Sequence, residues 1–185
     1  MTANWVSPFT DTISLFLMYI SIVDTFVYRV IEKHQNIILG YFFHYFSYSA
    51  SSLFLVLVIV FIWVIRKRVP SSLVLASAIS LAVTYILKYE VGRIRPIPLF
   101  FLESPLTPAF PSGHTTVASV LSIHLFRMAQ NRKLIRLISV IYLILSGFAR
   151  MYLGVHYLSD VLVGYFVGFV GYHLASYTIR KLERK

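Results

Sequence analysis

Long apolar runs broken by short polar clusters dominate this chain, and the run lengths set the elements they predict. Six runs approach the 17–23 residues that a ~30 Å hydrocarbon core requires, over residues 12–30, 49–65, 71–88, 112–127, 134–150 and 155–177. The reading is all-α, a polytopic membrane protein of six transmembrane helices forming one domain over residues 1–185. Residues 31–48 mix charge with the string Tyr41, Phe42, Phe43, His44, Tyr45 and Phe46. Aromatic belts prefer the headgroup level, so this segment predicts an interfacial element. Residues 90–111 break the pattern with Pro96, Pro98, Pro105 and Pro108 ahead of Pro111, which predicts an extramembrane loop. Within it, Leu99, Phe100, Phe101 and Leu102 predict a stretch that dips into the bilayer.

Two further patterns refine the picture. The fourth run is rich in Ser and Thr, which suits a central, tightly packed helix, and Gly164, Gly168 and Gly171 in the sixth predict a close-packing seam. Asp24 lies inside the first run and predicts a buried acid facing other helices.

Composition narrows the class. The chain is 58% hydrophobic, with mean hydropathy +0.75, more apolar surface than a soluble domain of this size needs. It has no Cys, which removes a disulfide framework, a thiolate nucleophile and a Cys-ligated metal. The net charge of +10 comes in short clusters between apolar runs, a topology signal rather than a nucleic-acid stripe. The first residues carry no Lys or Arg and no small-residue cleavage pattern, so no removable signal peptide is expected.

The bases assign the two faces. Arg66, Lys67 and Arg68, then Arg127, Arg132, Lys133 and Arg136, then Arg180, Lys181, Arg184 and Lys185 fall on what should be the cytoplasmic side, together with both termini. Arg29, Lys33, Lys88, Arg93, Arg95 and Arg150 fall on the other. The third run exits at Lys88, the fourth enters at Ser112, the fifth exits at Arg150 and the sixth enters near His156. Three separated stretches are therefore expected at one depth on the extracytoplasmic side.

Those stretches carry the candidate chemistry. His156 and Asp160 are four apart, so on a helix they share a face, and the carboxylate can fix the imidazole tautomer. Lys88 and Arg95 are seven apart, two helical turns if the helix persists that far. Pro111, Ser112, Gly113 and His114 read as a helix start whose N–H groups can receive an anion. Lys88, Arg95 and Arg150 with a helix tip suit a tetrahedral oxyanion, above all phosphate. Two histidines suit in-line transfer, one attacking phosphorus and the other protonating the departing oxygen. His156 and Asp160 have ligand spacing for a metal, but the three cations supply the charge a metal would bring and would repel it. No metal and no cofactor are expected.

The pattern K-x6-R-P, then P-S-G-H, then R-x5-H-x3-D resembles the signature of the type 2 phosphatidic acid phosphatase family, which shares its core with bacterial acid phosphatases and vanadium-dependent haloperoxidases. The motifs span Lys88 to Asp160, the expected catalytic core. The resemblance implies that His156 forms a phosphohistidine, Asp160 orients it and His114 is the general acid. It further implies that Lys88, Arg95, Ser112, Gly113 and Arg150 hold the phosphate oxygens. Ala149 departs from the family pattern, where Ser usually precedes this Arg. The implied activity is hydrolysis of a phosphorylated lipid in the bacterial inner membrane, with the site facing the periplasm. Lipid A 1-phosphate is the leading substrate, beside phosphatidylglycerophosphate, undecaprenyl pyrophosphate and phosphatidic acid. Two alternatives stay open: a lipid-to-lipid phosphotransferase, and a non-catalytic anion-binding or transport protein.

Overall fold

The computed structural model describes residues 8–97 and 106–184, with side chains from residue 15 onward. The elements are α1 (Pro8–Lys33), α2 (Ile37–Ser47), a single 3-10 turn (Tyr48–Ala50), α3 (Ser52–Arg66), α4 (Ser71–Val91), α5 (Gly113–Met128), α6 (Lys133–Tyr152) and α7 (Leu158–Leu182). No strand occurs among the described residues. The run boundaries read from the sequence fall within a few residues of these helices. The expected membrane-dipping residues Leu99, Phe100, Phe101 and Leu102 lie outside the described residues.

Among the described residues three helices, α4, α6 and α7, are long and apolar enough to cross a bilayer, and α2 with α3 make a fourth candidate as a pair bent by 50°. Helix α5 has only 16 residues, short of the roughly 20 that a perpendicular span needs. Its role is internal. It packs against α4, α6 and α7 through Thr115, Thr116, Ala118, Ser119 and Ser122, all buried.

Small residues explain this central position, because without a hydrophobic force between helices in lipid the backbones must approach closely. A Cβ at Gly164 would overlap the Thr115 hydroxyl and come within 2.6 Å of the Ser112 carbonyl oxygen. At Gly168 it would come within 2.6 Å of the Ser119 Cβ. The glycine seam of α7 thus seats α5, and hydrogen bonds add to it: Ser119 donates to the Tyr165 carbonyl at 2.9 Å.

Two apolar clusters flank this seam. Leu55, Leu73, Val117, Val120 and Tyr172 join α3, α4, α5 and α7. Phe43, Ala149, Tyr152, Leu153 and Val155 join the aromatic string of α2 to the end of α6. Tyr152 also ties down the turn between α1 and α2, accepting from the Asn36 N–H at 2.6 Å.

Candidate active site

Helix α4 sets the first wall. Lys88 sits in its last turn and is 5% exposed, with the ammonium donating to the Pro108 carbonyl at 2.7 Å. Gly92 ends the helix at φ +59, a left-handed conformation that a side chain would strain, and returns its N–H to the Lys88 carbonyl. Beyond it the chain has no regular secondary structure, so Lys88 and Arg95 do not share a helical face as the seven-residue spacing suggested. Arg95 reaches the same cavity from the following segment. Its Nε donates to the Thr107 carbonyl at 2.8 Å and Nη1 donates to the Val155 carbonyl at 2.7 Å.

The second wall is the tip of α5. A cis peptide joins Phe110 to Pro111, and Ser112 caps the helix with its hydroxyl accepting from the Thr115 N–H. The Ser112 N–H donates to the Asp160 carbonyl at 3.0 Å. Ser112 is fully buried, and its hydroxyl keeps an O–H to donate. Gly113 and His114, in the first turn, line the cavity, where helical N–H groups point outward from the end.

The third wall is the turn between α6 and α7. Arg150 is 2% exposed yet faces the cavity. Gly154 at φ +67 turns the chain. His156 follows in the loop rather than in α7, so it and Asp160 do not share a helix. Its Nδ1 lies 3.6 Å from Asp160 Oδ2, longer than a hydrogen bond. His156 Nε2 is 3.1 Å from Arg95 Nη1. A guanidinium can only donate, so Nε2 is the acceptor and the neutral ring carries its proton on Nδ1, toward the carboxylate. Burial holds the His156 imidazole well below its ordinary pKa of 6.5, and the charges of Arg150, Arg95 and Lys88 push the same way.

Six of the eight expected residues, Lys88, Arg95, Gly113, His114, Arg150 and His156, line one cavity of about 350 Å³. Asp160 stands behind His156, and Ser112 behind Gly113. Thr84, Tyr85 and Leu81 extend the same cavity along α4, one to two turns or roughly 10 Å below Lys88 at 1.5 Å per residue. Ala50 and Ser52 close the far side. The cavity is thus cationic at one end and uncharged at the other. Among the described residues no three His, Asp or Glu side chains converge as metal ligands would.

One contributor escaped the sequence reading. Arg93 donates to Asp160 Oδ1 and to Asp24 Oδ2, each at 2.7 Å, and to the Ser159 hydroxyl at 2.6 Å. Its guanidinium also lies over the Tyr157 ring, 4.4 Å from the centroid. Burial alone would lower the Arg93 pKa, but hydrogen bonds and charge from Asp24 and Asp160 outweigh it and raise it. Asp24 is 2% exposed and accepts from the Ser159 N–H at 2.9 Å. The second Asp160 oxygen accepts from the Tyr157 N–H at 2.9 Å. A base two residues before Arg95 and an acid inside an apolar run were the available signals, but nothing in the sequence joins residues 69 apart.

Comparison with known proteins follows the same lines. A family profile described as the PAP2 superfamily matches residues 69–184. Phosphatidylglycerophosphatase B of Bacillus subtilis strain 168 is 33% identical over 109 residues, 54% of this chain and 52% of that protein. Undecaprenyl-diphosphatase of Sulfolobus acidocaldarius is 27% identical over 107 residues, 55% of this chain and 51% of that protein. The chain therefore spans about half the length of the curated relatives it matches. The crystal structure of Aquifex aeolicus LpxE superposes with a TM-score of 0.72 at 28% identity, over 82% of this chain and 93% of that one. A PAP2-type phosphatidylglycerolphosphate phosphatase from Bacillus subtilis gives a TM-score of 0.75 at 23% identity, over 93% and 96%, a likeness of fold. Because the profile covers well over half the chain and every candidate site residue, the protein belongs to the PAP2 superfamily.

Proposed function

We propose that the protein is a metal-independent membrane phosphatase acting on a phosphorylated lipid through a phosphohistidine. The observation that carries this reading is the two-ended cavity: three cations and two histidines at one end, and at the other Leu81, Tyr85 and Ala50 with only the uncharged hydroxyls of Thr84 and Ser52 among them. A soluble phosphate ester needs only the first. A lipid needs both, and three of the proteins reported above are named as a phosphatidylglycerophosphatase, an undecaprenyl-diphosphatase and a phosphatidylglycerolphosphate phosphatase.

In the proposed reaction Lys88, Arg95 and Arg150 hold the phosphoryl oxygens with the N–H groups of the α5 tip around Gly113. Arg95 turns its donor from His156 Nε2 to the substrate, which releases that lone pair. Nε2 then bonds to phosphorus as the P–O bond to the leaving group breaks, and His114, which takes up a proton as the anionic phosphate binds beside it, delivers that proton to the departing oxygen. Asp160 stabilises the positive charge left on the ring through Nδ1–H. Water next attacks phosphorus, the P–N bond breaks, and the water proton passes to His114. Phosphate leaves and the starting protonation states return. The cations stabilise the charge on the equatorial oxygens in both steps.

Six crossings complete the reading, α5 being a short one enclosed by α4, α6 and α7, with both termini cytoplasmic and the cavity on the periplasmic face of the inner membrane. The placement of Lys88, Arg95 and Arg150 at one end and of Arg66, Arg127 and Arg136 at the other supports it. The proposed substrates are phosphatidylglycerophosphate, undecaprenyl pyrophosphate, phosphatidic acid and lipid A 1-phosphate. Phosphate release by the purified protein from these four lipids, each with and without a second lipid as acceptor, tests the reading. Release from at least one, abolished in His156→Ala, is expected. No release from any, or equal release by the variant, overturns it.

A further inference from the structure

A second cavity of about 310 Å³ opens between α5, α6 and α7 at the end opposite the candidate site. Its residue Arg127 lies thirteen positions beyond His114 on α5, about 20 Å along the helix at 1.5 Å per residue. Nothing in the proposed reaction uses it. Phe126, Val140, Leu143 and Phe169 make its walls apolar, and Arg127 stands at its edge.

Charge and hydrogen bonding distinguish this groove from ordinary lipid-facing surface. Arg127, Arg132, Lys133 and Arg136 cluster at the turn between α5 and α6, and no acidic residue occurs between Glu103 and Asp160. Two of these cations are held in place by aromatic rings. The Arg136 guanidinium lies 5.1 Å over Phe126, a wall residue, and the Arg127 guanidinium 5.5 Å over Tyr172. Ser122 lines the groove and is 4% exposed, and its hydroxyl has no hydrogen-bond partner among the described residues. A helical serine can satisfy itself on a carbonyl one turn back, as Ser139 and Ser146 do with neighbouring turns. Ser122 does not, and an unpaired buried hydroxyl is costly. It lies five residues, roughly 7.5 Å, deeper than Arg127.

From the mouth inward the order is therefore guanidiniums, a hydroxyl donor, then apolar wall. A glycerophospholipid presents an anionic phosphodiester, ester carbonyl acceptors and an acyl chain in the same order. We propose that this groove is a binding site for an acidic phospholipid, with the headgroup phosphate on Arg127 and Arg136, an ester carbonyl on Ser122 and one chain along Val140, Leu143 and Phe169. A zwitterionic lipid would bring a cationic headgroup against a run of bases without carboxylates, so the site should discriminate by charge.

The purified full chain in detergent is titrated by native mass spectrometry with phosphatidylglycerol and, separately, with phosphatidylcholine of identical chains. A preference of roughly thirtyfold for the acidic lipid is expected from two basic contacts, falling to near parity in Arg127→Gln/Arg136→Gln. Glycerol 1-phosphate, a headgroup without chains, should bind neither form detectably. Equal affinity for the two lipids in the unmodified protein, or an unchanged preference in the double variant, overturns the proposal. A photoactivatable phosphatidylglycerol on the unmodified protein supplies a readout that needs no variant. Cross-links should map to 122–143 and 169–173, and a map confined to other helices contradicts the site.

Discussion

Arg93 and Asp160 meet at 2.7 Å behind the cavity wall, and Arg93 holds Asp24 of α1 with its other nitrogen at the same distance. Asp160 is fully buried and Asp24 nearly so, and one guanidinium bridges the two carboxylates. This pair fixes Asp160 while the other oxygen of that carboxylate faces His156.

Removing Arg93 should therefore act on both folding and turnover. Breaking a buried ion pair from one side costs about 3–5 kcal/mol. Part of the Arg93 side chain is exposed (23%), which places Arg93→Ala toward the lower end of that range. As a positioning residue it should lower kcat more than it raises KM. Thermal midpoints together with kcat and KM for Arg93→Ala and Arg93→Lys check this, with partial recovery expected in the lysine variant. Unchanged stability in Arg93→Ala would show that Asp24 and Asp160 find compensation elsewhere.

Arg95 differs, because it reaches the His156 ring and the cavity directly. Arg95→Ala should lower kcat by about 10²–10³, the usual size of a lost oxyanion donor. Steady-state kinetics on a lipid substrate measure it, and a loss below tenfold would remove Arg95 from the phosphate contacts.

Acid pH reports on His156. Its pKa is held below 6.5 by burial and by three neighbouring cations, so the neutral nucleophile persists as pH falls through 6.5. The ring protonates, and the rate drops, only when pH reaches the depressed value. The profile of kcat/KM reports the free enzyme, so its acid limb should lie below 6.5. Half-loss of kcat/KM above pH 6.5 would contradict this environment.

The α7 seam gives a graded test of packing. An alanine at Gly164 would meet the Ser112 carbonyl at 2.6 Å, and that backbone cannot rotate away. At Gly171 the nearest obstacle is the Ser80 hydroxyl, which can turn. Gly164→Ala should destabilise by about 1–3 kcal/mol, as overpacking does, and should displace the α5 tip and reduce turnover. Gly171→Ala should be milder on both counts. Thermal midpoints and activity of the two variants check the order, and the reverse order would contradict the seam as described.

The helices, the convergence of Lys88, His114, Arg150 and His156, and the glycine seam were legible from run lengths and small-residue spacing. Spacing misled where it assumed a persisting helix. Gly92 ends α4 before Arg95, and Gly154 keeps His156 out of α7, yet each residue reaches the expected cavity by another route. The Ser112 N–H joins the tip of α5 to α7 through the Asp160 carbonyl, and its hydroxyl caps α5. The Asp24–Arg93–Asp160 link was illegible, because it depends on how α1 leans against α7. Ala149 is fully buried among Phe43, Tyr152, Leu153 and Val155, and nothing in the structure explains why Ala stands there in place of the usual Ser.

The central claim is that His156 carries the phosphoryl group. The most direct test is rapid acid-free quenching of turnover on a phosphate-labelled lipid, followed by locating the label in the protein. The account predicts an acid-labile phosphoryl on His156, absent in His156→Asn along with turnover. Continued turnover with no label on His156, or near-normal rates in the variant, would contradict it.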